Sequence, residues 1–394
     1  MLLTSRPVTS CEPFPGGPAP AGASRPGAHR TRLILAAAAV LFAAGVPTAG
    51  ARIGAAATST TAADTWSQLT PAIAPLPRDS AEVGYDTSTS TVVMSGGESS
   101  CGPLGREVYQ DTWTWDGSVW KEVATNAPPV FGVPAAYDGA TQTFDVLWYP
   151  GCADGPTTSE WNGQSWEGPG GDEGVPESEQ TAWPSDDGAM AYDPSTQTMV
   201  LWSPSPPFEQ STTSTTTPTG STTWSWDGTT WSQLSPSVSP PPSVGDAKDV
   251  QMVYDTSTSQ ILLYGDHSQA LWAWSGSDWS ELYGTGAGPS PRVGSSLVYD
   301  SALGEALLFG GDTVTGYTSP SSGRGENYTL GAPLNDLWAW NGTAWQQQHP
   351  TNSPPARFYA QMAFDASSGQ VVLFGGAVND TADIADTWVY GPAS

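Results

Sequence analysis

Arginine and lysine are scarce in this 394-residue chain, 12 together against 39 Asp+Glu, so their placement carries information. Arg78, Arg292 and Arg357 each stand seven residues ahead of an aromatic–Asp pair: Tyr85-Asp86, Tyr299-Asp300 and Phe364-Asp365. In the same three stretches an Asp sits two residues before a Trp (Asp111, Asp336, Asp386), and a diglycine closes an apolar run (Gly96-Gly97, Gly310-Gly311, Gly375-Gly376). Two chemistries fit. The guanidinium groups could form a basic sector that takes an anion or carboxylate ligand. Alternatively, each could form an ion pair with its Asp above a close backbone contact that only glycine allows.

Other reactive groups are less selectively placed. Carboxylates crowd the long loops, among them Glu98, Glu107, Asp249, Asp312 and Asp383. Two at a suitable separation could act on a glycosidic bond or bind Ca²⁺. No DxDxDG-type spacing singles any out, and a solvated acidic face is the plainer reading. No metal site is assigned and no cofactor is expected, with Ca²⁺ the one left open. Cys101 and Cys152 follow corresponding apolar runs in neighbouring repeats, so a disulfide between them is expected if the chain is secreted. It requires Cα atoms within about 7 Å of each other.

The segments that carry these groups repeat. A W-x-W-x-G-x-x-W pattern or a decayed copy recurs at 112–120, 158–166, 223–231, 271–279 and 337–345. An aromatic–Asp pair, a polar turn and an apolar run precede each copy. Six such units fill residues 64–394, and each reads as four strands. Asp-Gly or Asn-Gly in the hairpin predicts a two-residue turn, which sets Trp338 opposite Trp345 and Trp340 opposite Thr343. All three indoles then share one face. Each ring buries about 150–250 Å², worth roughly 4–6 kcal/mol gross at about 25 cal/mol/Å². Only a neighbouring sheet can supply that burial.

The sixth unit ends at DTWVYGPAS with no fourth strand, whereas TWSQL at 65–69 repeats the fourth strand of the third unit, TWSQL at 230–234. Residues 65–69 are therefore expected to complete the last blade. The fold predicted is all-β: a six-bladed β-propeller of four-stranded antiparallel blades closed by the N-terminal strand.

The diglycines, the Asp-Leu/Thr-Trp strand and the closing Trp resemble kelch repeats, the family that includes the central domain of galactose oxidase. The likeness spans 64–394 and implies a propeller, a fold that hosts many roles. Repeats two to four depart from it, with Tyr-Pro-Gly (149–151), Trp-Ser-Pro (202–204) and Tyr-Gly-Asp (264–266) in place of the diglycine. The copper-radical chemistry of galactose oxidase needs two His, two Tyr and a cross-linked Cys. Past residue 51 only His267 and His349 remain, in non-matching positions, so copper is disfavoured.

Bulk properties bound the setting. A net charge of −27 argues against nucleic acid and anionic membrane partners. Residues 1–51 read as a signal peptide: a basic start, the apolar run at 33–46 and an A-x-A ending at Ala51. A linker at 52–63 follows. The expectation is a secreted or cell-surface monomer, membrane-associated only if the signal is uncleaved. A non-catalytic binding module for an extracellular carbohydrate or protein is the leading reading. A carbohydrate-active enzyme using loop carboxylates, or a structural surface protein, is the alternative. Binding needs an aromatic platform on the long-loop rim, for which Trp183, Trp148 and Trp202 are candidates; simple packing is the other reading for each.

Overall fold

The computed structural model describes residues 64–102, 105–150, 156–167, 184–185, 187–204, 220–241, 249–265, 269–284, 286–318, 327–379 and 381–392. The expected signal peptide and linker, Trp183, His267 and Cys152 lie outside the described residues, as does the side chain of Cys101.

Among the described residues, six four-stranded antiparallel sheets form the framework. Blade 1 is Glu82–Asp86, Thr91–Ser95, Thr112–Trp115 and Trp120–Ala124. Blade 2 is Ala135–Asp138, Thr143–Trp148, Thr157–Trp161 and Trp166–Glu167. Blade 3 is Ala189–Asp193, Thr198–Ser203, Thr222–Trp226 and Trp231–Leu234. Blade 4 is Val250–Asp255, Gln260–Gly265, Leu271–Trp274 and Trp279–Tyr283. Blade 5 is Ser296–Asp300, Glu305–Phe309, Leu337–Trp340 and Trp345–Gln348. Blade 6 is Gln361–Asp365, Gln370–Phe374 and Thr387–Pro392, with Asp64–Leu69 as its fourth strand.

The first strand of each blade touches that of the next, and the first strand of blade 6 touches that of blade 1. The ring is therefore closed, with the first strands innermost. Closure uses the register Trp66 to Tyr390 and Gln68 to Trp388. Trp66 is fully buried between Phe309 of blade 5 and Tyr390, with ring centroids 5.3 and 5.2 Å away.

The core is not one mass but six, one in each seam between blades. Tryptophans of one blade fill each seam against aliphatic side chains of the blade before it. Trp340 and Trp345 of blade 5, for example, pack on Leu262, Leu271 and Ala273 of blade 4. This is where the repeated indoles find their burial.

The hairpin register differs from the two-residue-turn expectation. Trp340 faces Trp345, with centroids 5.6 Å apart, and Trp338 faces Gln347. The same holds for Trp115–Trp120, Trp161–Trp166, Trp226–Trp231 and Trp274–Trp279. The loop has four residues because the Asn341 side chain takes over its hydrogen bonding. Its Oδ1 accepts the backbone N–H groups of Thr343 and Ala344, both at 3.0 Å. Asp116 and Asp227 do the same in blades 1 and 3. A shift of two residues preserves the face on which each side chain lies, so the shared indole face survives.

A second device ties the seams. The fourth-strand Trp donates its indole N–H to a Thr that is the first or second residue of the third strand of the preceding blade. The pairs are Trp120–Thr387 (3.0 Å), Trp166–Thr112 (2.7 Å), Trp231–Thr158 (3.0 Å) and Trp279–Thr223 (2.9 Å). In blades 4 and 5 the Thr position is Leu271 and Leu337. There the corresponding donors, Trp345 and Trp66, are buried without a hydrogen-bond partner.

Candidate functional site

The three arginines are intrablade latches. Arg78 pairs bidentately with Asp111 (2.6 and 2.7 Å), Arg292 with Asp336 (2.7 and 2.9 Å) and Arg357 with Asp386 (2.6 and 2.9 Å). Each guanidinium also donates to the carbonyl of the first glycine of its diglycine, Gly96, Gly310 or Gly375, at 2.8–2.9 Å. Each Nε–H donates to a carbonyl two residues upstream. The paired Asp in turn accepts an indole N–H, from Trp113, Trp338 or Trp388. The arginines are at most 1 % exposed, so they present no positive face to solvent. Burial alone would raise the Asp336 and Asp386 carboxyls. The hydrogen bonds and charge of Arg292 and Arg357, with the indole donors, outweigh it and hold both below the ordinary carboxylate range.

The diglycines link each latched blade to the next. Gly97 N–H donates to Val130 O (2.8 Å), Gly311 N–H to Arg357 O (2.9 Å) and Gly376 N–H to Arg78 O (2.9 Å). A Cβ on Gly375 would lie 2.6 Å from Arg78 O, and its φ is 69°. Both facts require glycine. Val130 occupies the arginine position of blade 2, which has no latch of its own.

At the long-loop end of the ring lies a second set of equivalent residues, five positions ahead of each aromatic–Asp pair: Ser80, Gly132, Asp187, Asp249, Gly294 and Tyr359. Five of them, all but Asp187, join in hydrogen bonds that run from blade to blade where the loops enter the innermost strands, which places the set at the channel mouth. Gly132 N–H donates to Ser80 O, Ser80 N–H to Tyr359 O, and Tyr359 N–H to Gly294 O, at 2.9, 3.1 and 2.7 Å. Gly294 N–H donates to Asp249 Oδ1 at 3.1 Å. Gly132 and Gly294 have φ of 58° and 63°, and Ser80 and Tyr359 adopt the same left-handed conformation, at 52° and 53°, without being glycine. Non-glycine residues pay strain there, and such strain collects at functional sites.

Tyr359 is the largest member. It is half-buried, and its ring lies over Gly294, where a Cβ would come within 2.7 Å of it. Its phenol donates to Asp249 Oδ1 at 3.0 Å, so one side chain of blade 6 reaches across blade 5 to blade 4. Buried carboxylates lie on and beside these loop entries: Asp79 and Asp249 on the entries, and Glu98 and Asp312 directly after two of the diglycines, in backbone pairing with Asp79 and Val293. Glu82, in the innermost strand of blade 1, accepts the Val133 N–H at 2.8 Å. Burial pushes its carboxyl up to about 8, against the opposing effect of hydrogen bonds from Val133 and Gly132.

Of the other residues singled out from sequence, Trp202 is 1 % exposed and belongs to the seam between blades 3 and 4. Trp148 is half-buried and gives its N–H to Ser159 at 2.9 Å. Neither stands out as an open platform. Among the described residues no group of three His, Cys, Asp or Glu is arranged to hold a metal ion. Sequence reasoning passed over Ser80, Glu82 and Tyr359. Their signal is positional, a fixed offset from the aromatic–Asp pair, and it shows only once the repeats are aligned on that pair.

No family profile and no curated protein matches the chain. Among solved structures, one described as "Structure of YjhT" is similar at 12 % identity and a TM-score of 0.37, over 79 % of this chain and 80 % of that one. Likeness at that level decides nothing by itself; the sheet order, the blade-to-blade links and the closing strand make this chain a six-bladed β-propeller.

Proposed function

We propose that this propeller is a secreted, non-catalytic binding module that takes an extracellular carbohydrate at its channel mouth. The observation that carries the reading is Tyr359, a non-glycine residue held at a φ of 53°, its ring laid on Gly294 and its phenol on Asp249. A fixed aromatic edge among carboxylate acceptors suits a polyhydroxylated ligand: the ring offers an apolar face, and carboxylates accept bonds from hydroxyl groups. Secretion rests on the signal-like residues 1–51. Glycan-array binding of wild type, Tyr359→Phe, Tyr359→Ala and Trp183→Ala tests it. Wild type should bind a glycan, Tyr359→Phe should weaken binding, and Tyr359→Ala should abolish it with the circular dichroism spectrum unchanged. Wild type that binds no glycan contradicts the carbohydrate reading and leaves a protein ligand.

Glu82 favours a second reading, a carbohydrate-active enzyme. A carboxyl whose proton is held to about pH 8 can act as a general acid at neutral pH. Under this reading oligosaccharide turnover is present in wild type and absent in Glu82→Gln, with glycan binding retained in both. Absence of turnover in wild type dismisses it.

A further inference from the structure

Blade 2 breaks a rule that the other five blades keep. The third residue of the second strand fills a seam with an aliphatic side chain: Val93, Val200, Leu262, Leu307 and Val372. In blade 2 that residue is Asp145, and it is fully buried. Its Oδ1 accepts the Thr143 hydroxyl at 2.6 Å. Its Oδ2 is buried with no hydrogen-bond partner. Glu160 lies directly opposite Asp145 in the sheet, and Glu167 directly opposite Glu160. Directly opposite residues share a face, so the three carboxylates form a row running outward, from buried to half-buried to exposed.

That face meets blade 3. Leu147, two residues along from Asp145, packs with Met190, Met199, Leu201 and Trp226, beside half-buried Tyr192 and Trp231. The Trp226 indole N–H is also without a hydrogen-bond partner. A charged Asp145 would thus face a blade 3 wall that is apolar but for the Trp226 indole N–H, and a second acid from its own sheet. Such a group either keeps a proton or forces its surroundings apart.

We propose that Asp145 is a proton-dependent clasp in the seam between blades 2 and 3: neutral, it lets the two blades pack; ionised, it drives the seam open. Burial pushes the Asp145 carboxyl well above its usual range, and the charges of Glu160 and Asp138 push the same way. The Thr143 hydroxyl and the Trp226 indole oppose them. Glu160 is raised as well, first by burial and then by Glu167 and Asp138. From blade 3 the titratable neighbour is Tyr192, raised by burial and by Asp138 and Asp193. No basic residue figures among the charges acting on these three groups.

The sign follows from linkage. A carboxyl whose folded value lies above its unfolded one contributes stability that is complete at low pH and is lost as pH rises through the folded value. The seam therefore loosens toward alkaline pH, opposite to the behaviour of Asp336 and Asp386.

Melting temperature measured from about pH 5 to about pH 9 on wild type, Asp145→Asn and Asp145→Leu tests this. Wild type should lose stability across the upper part of the range. Both substitutions should shrink that loss, leaving the part that buried Glu82 contributes in every variant, and Asp145→Leu should melt about 2–4 °C higher than wild type at the alkaline end. Hydrogen exchange of the wild-type chain reads the seam without any substitution: the amides of Leu147 and Trp226 should exchange faster at alkaline pH relative to Leu307 and Trp340. Wild-type and variant profiles that run parallel, or no selective change at Leu147 and Trp226, overturn the proposal. So does a rise in wild-type melting temperature with millimolar Ca²⁺ at neutral pH that Asp145→Asn abolishes, because the seam would then hold a metal ion rather than a proton.

Discussion

Blades 5, 6 and 1 carry the arginine latch, the paired Asp and the diglycine link. Blades 2, 3 and 4 carry none of them: Val130 and Ser185 stand where blades 2 and 3 would have the arginine. The latched half is centred on blade 6, the only blade made from both ends of the propeller chain. Between blades 2, 3 and 4 the backbone runs continuously through every sheet. In blade 6 the fourth strand is held by hydrogen bonds and packing alone. The seams of blade 4 with 5 and of 5 with 6 also lack the Thr–Trp bond. Charge pairs thus cluster on blade 6 and its two neighbours; the 5–6 seam has a diglycine link in place of the Thr–Trp bond, whereas the 6–1 and 1–2 seams have both. Ligand recognition, on the reading offered above, falls to the neighbouring mouth residues instead.

Removing a latch should have the largest effect. Arg357→Ala leaves half-buried Asp386 without its cation and the Gly375 carbonyl without its donor, and breaking a pair whose arginine is fully buried costs about 3 kcal/mol. Ser185→Ala, at the equivalent place in blade 3, loses only the Ser185 bonds with Asp187 and should cost about 1 kcal/mol. Urea unfolding of the two variants sharpens the contrast; equal losses would erase it. Gly375→Ala comes next. It forces a Cβ toward Arg78 O at a left-handed φ, for about 1–3 kcal/mol. Gly220→Ala meets nothing within 4 Å despite its φ of 145° and tests the backbone contribution alone.

The acid limb gives a smaller, graded effect. Asp336 and Asp386 have folded values below their unfolded ones. The stability they provide is present above the unfolded value and is lost as pH falls through the folded one. Melting temperature should therefore fall on acidification, less steeply in an Asp336→Asn variant. The smallest effect is expected at the Thr–Trp bonds. Thr112→Val orphans the Trp166 indole and should cost about 1 kcal/mol, measurable as a shift of the urea midpoint.

Much of this was legible beforehand because the repeat is written in residue types with few structural options. Indoles at fixed spacing demand seams, and a stray TWSQL at the front of the propeller demands a blade to join. The co-occurrence of Arg78, Asp111 and Gly96-Gly97 with their counterparts in blades 5 and 6 pointed to a shared local arrangement before any distance was known. The hairpin register escaped because Asn341-Gly342 fits two loop lengths, and the choice lies in which backbone N–H groups the Asn side chain takes. Tyr359 and Ser80 escaped because nothing in their type announces a left-handed backbone; the preceding blade imposes it. Asp145 escaped because a single acid in an apolar run is visible only against its five aliphatic counterparts.

The latch geometry predicts that blades 5, 6 and 1 hold the ring closed around the N-terminal strand. Hydrogen exchange followed by mass spectrometry on wild type and Arg357→Ala tests it most directly. Peptides covering Asp64–Leu69 and Thr387–Pro392 should exchange as slowly in wild type as the inner strands of blades 2 to 4, and should be the first to accelerate in Arg357→Ala. A closing strand that exchanges freely in wild type, or a variant in which all six blades accelerate together, would contradict it.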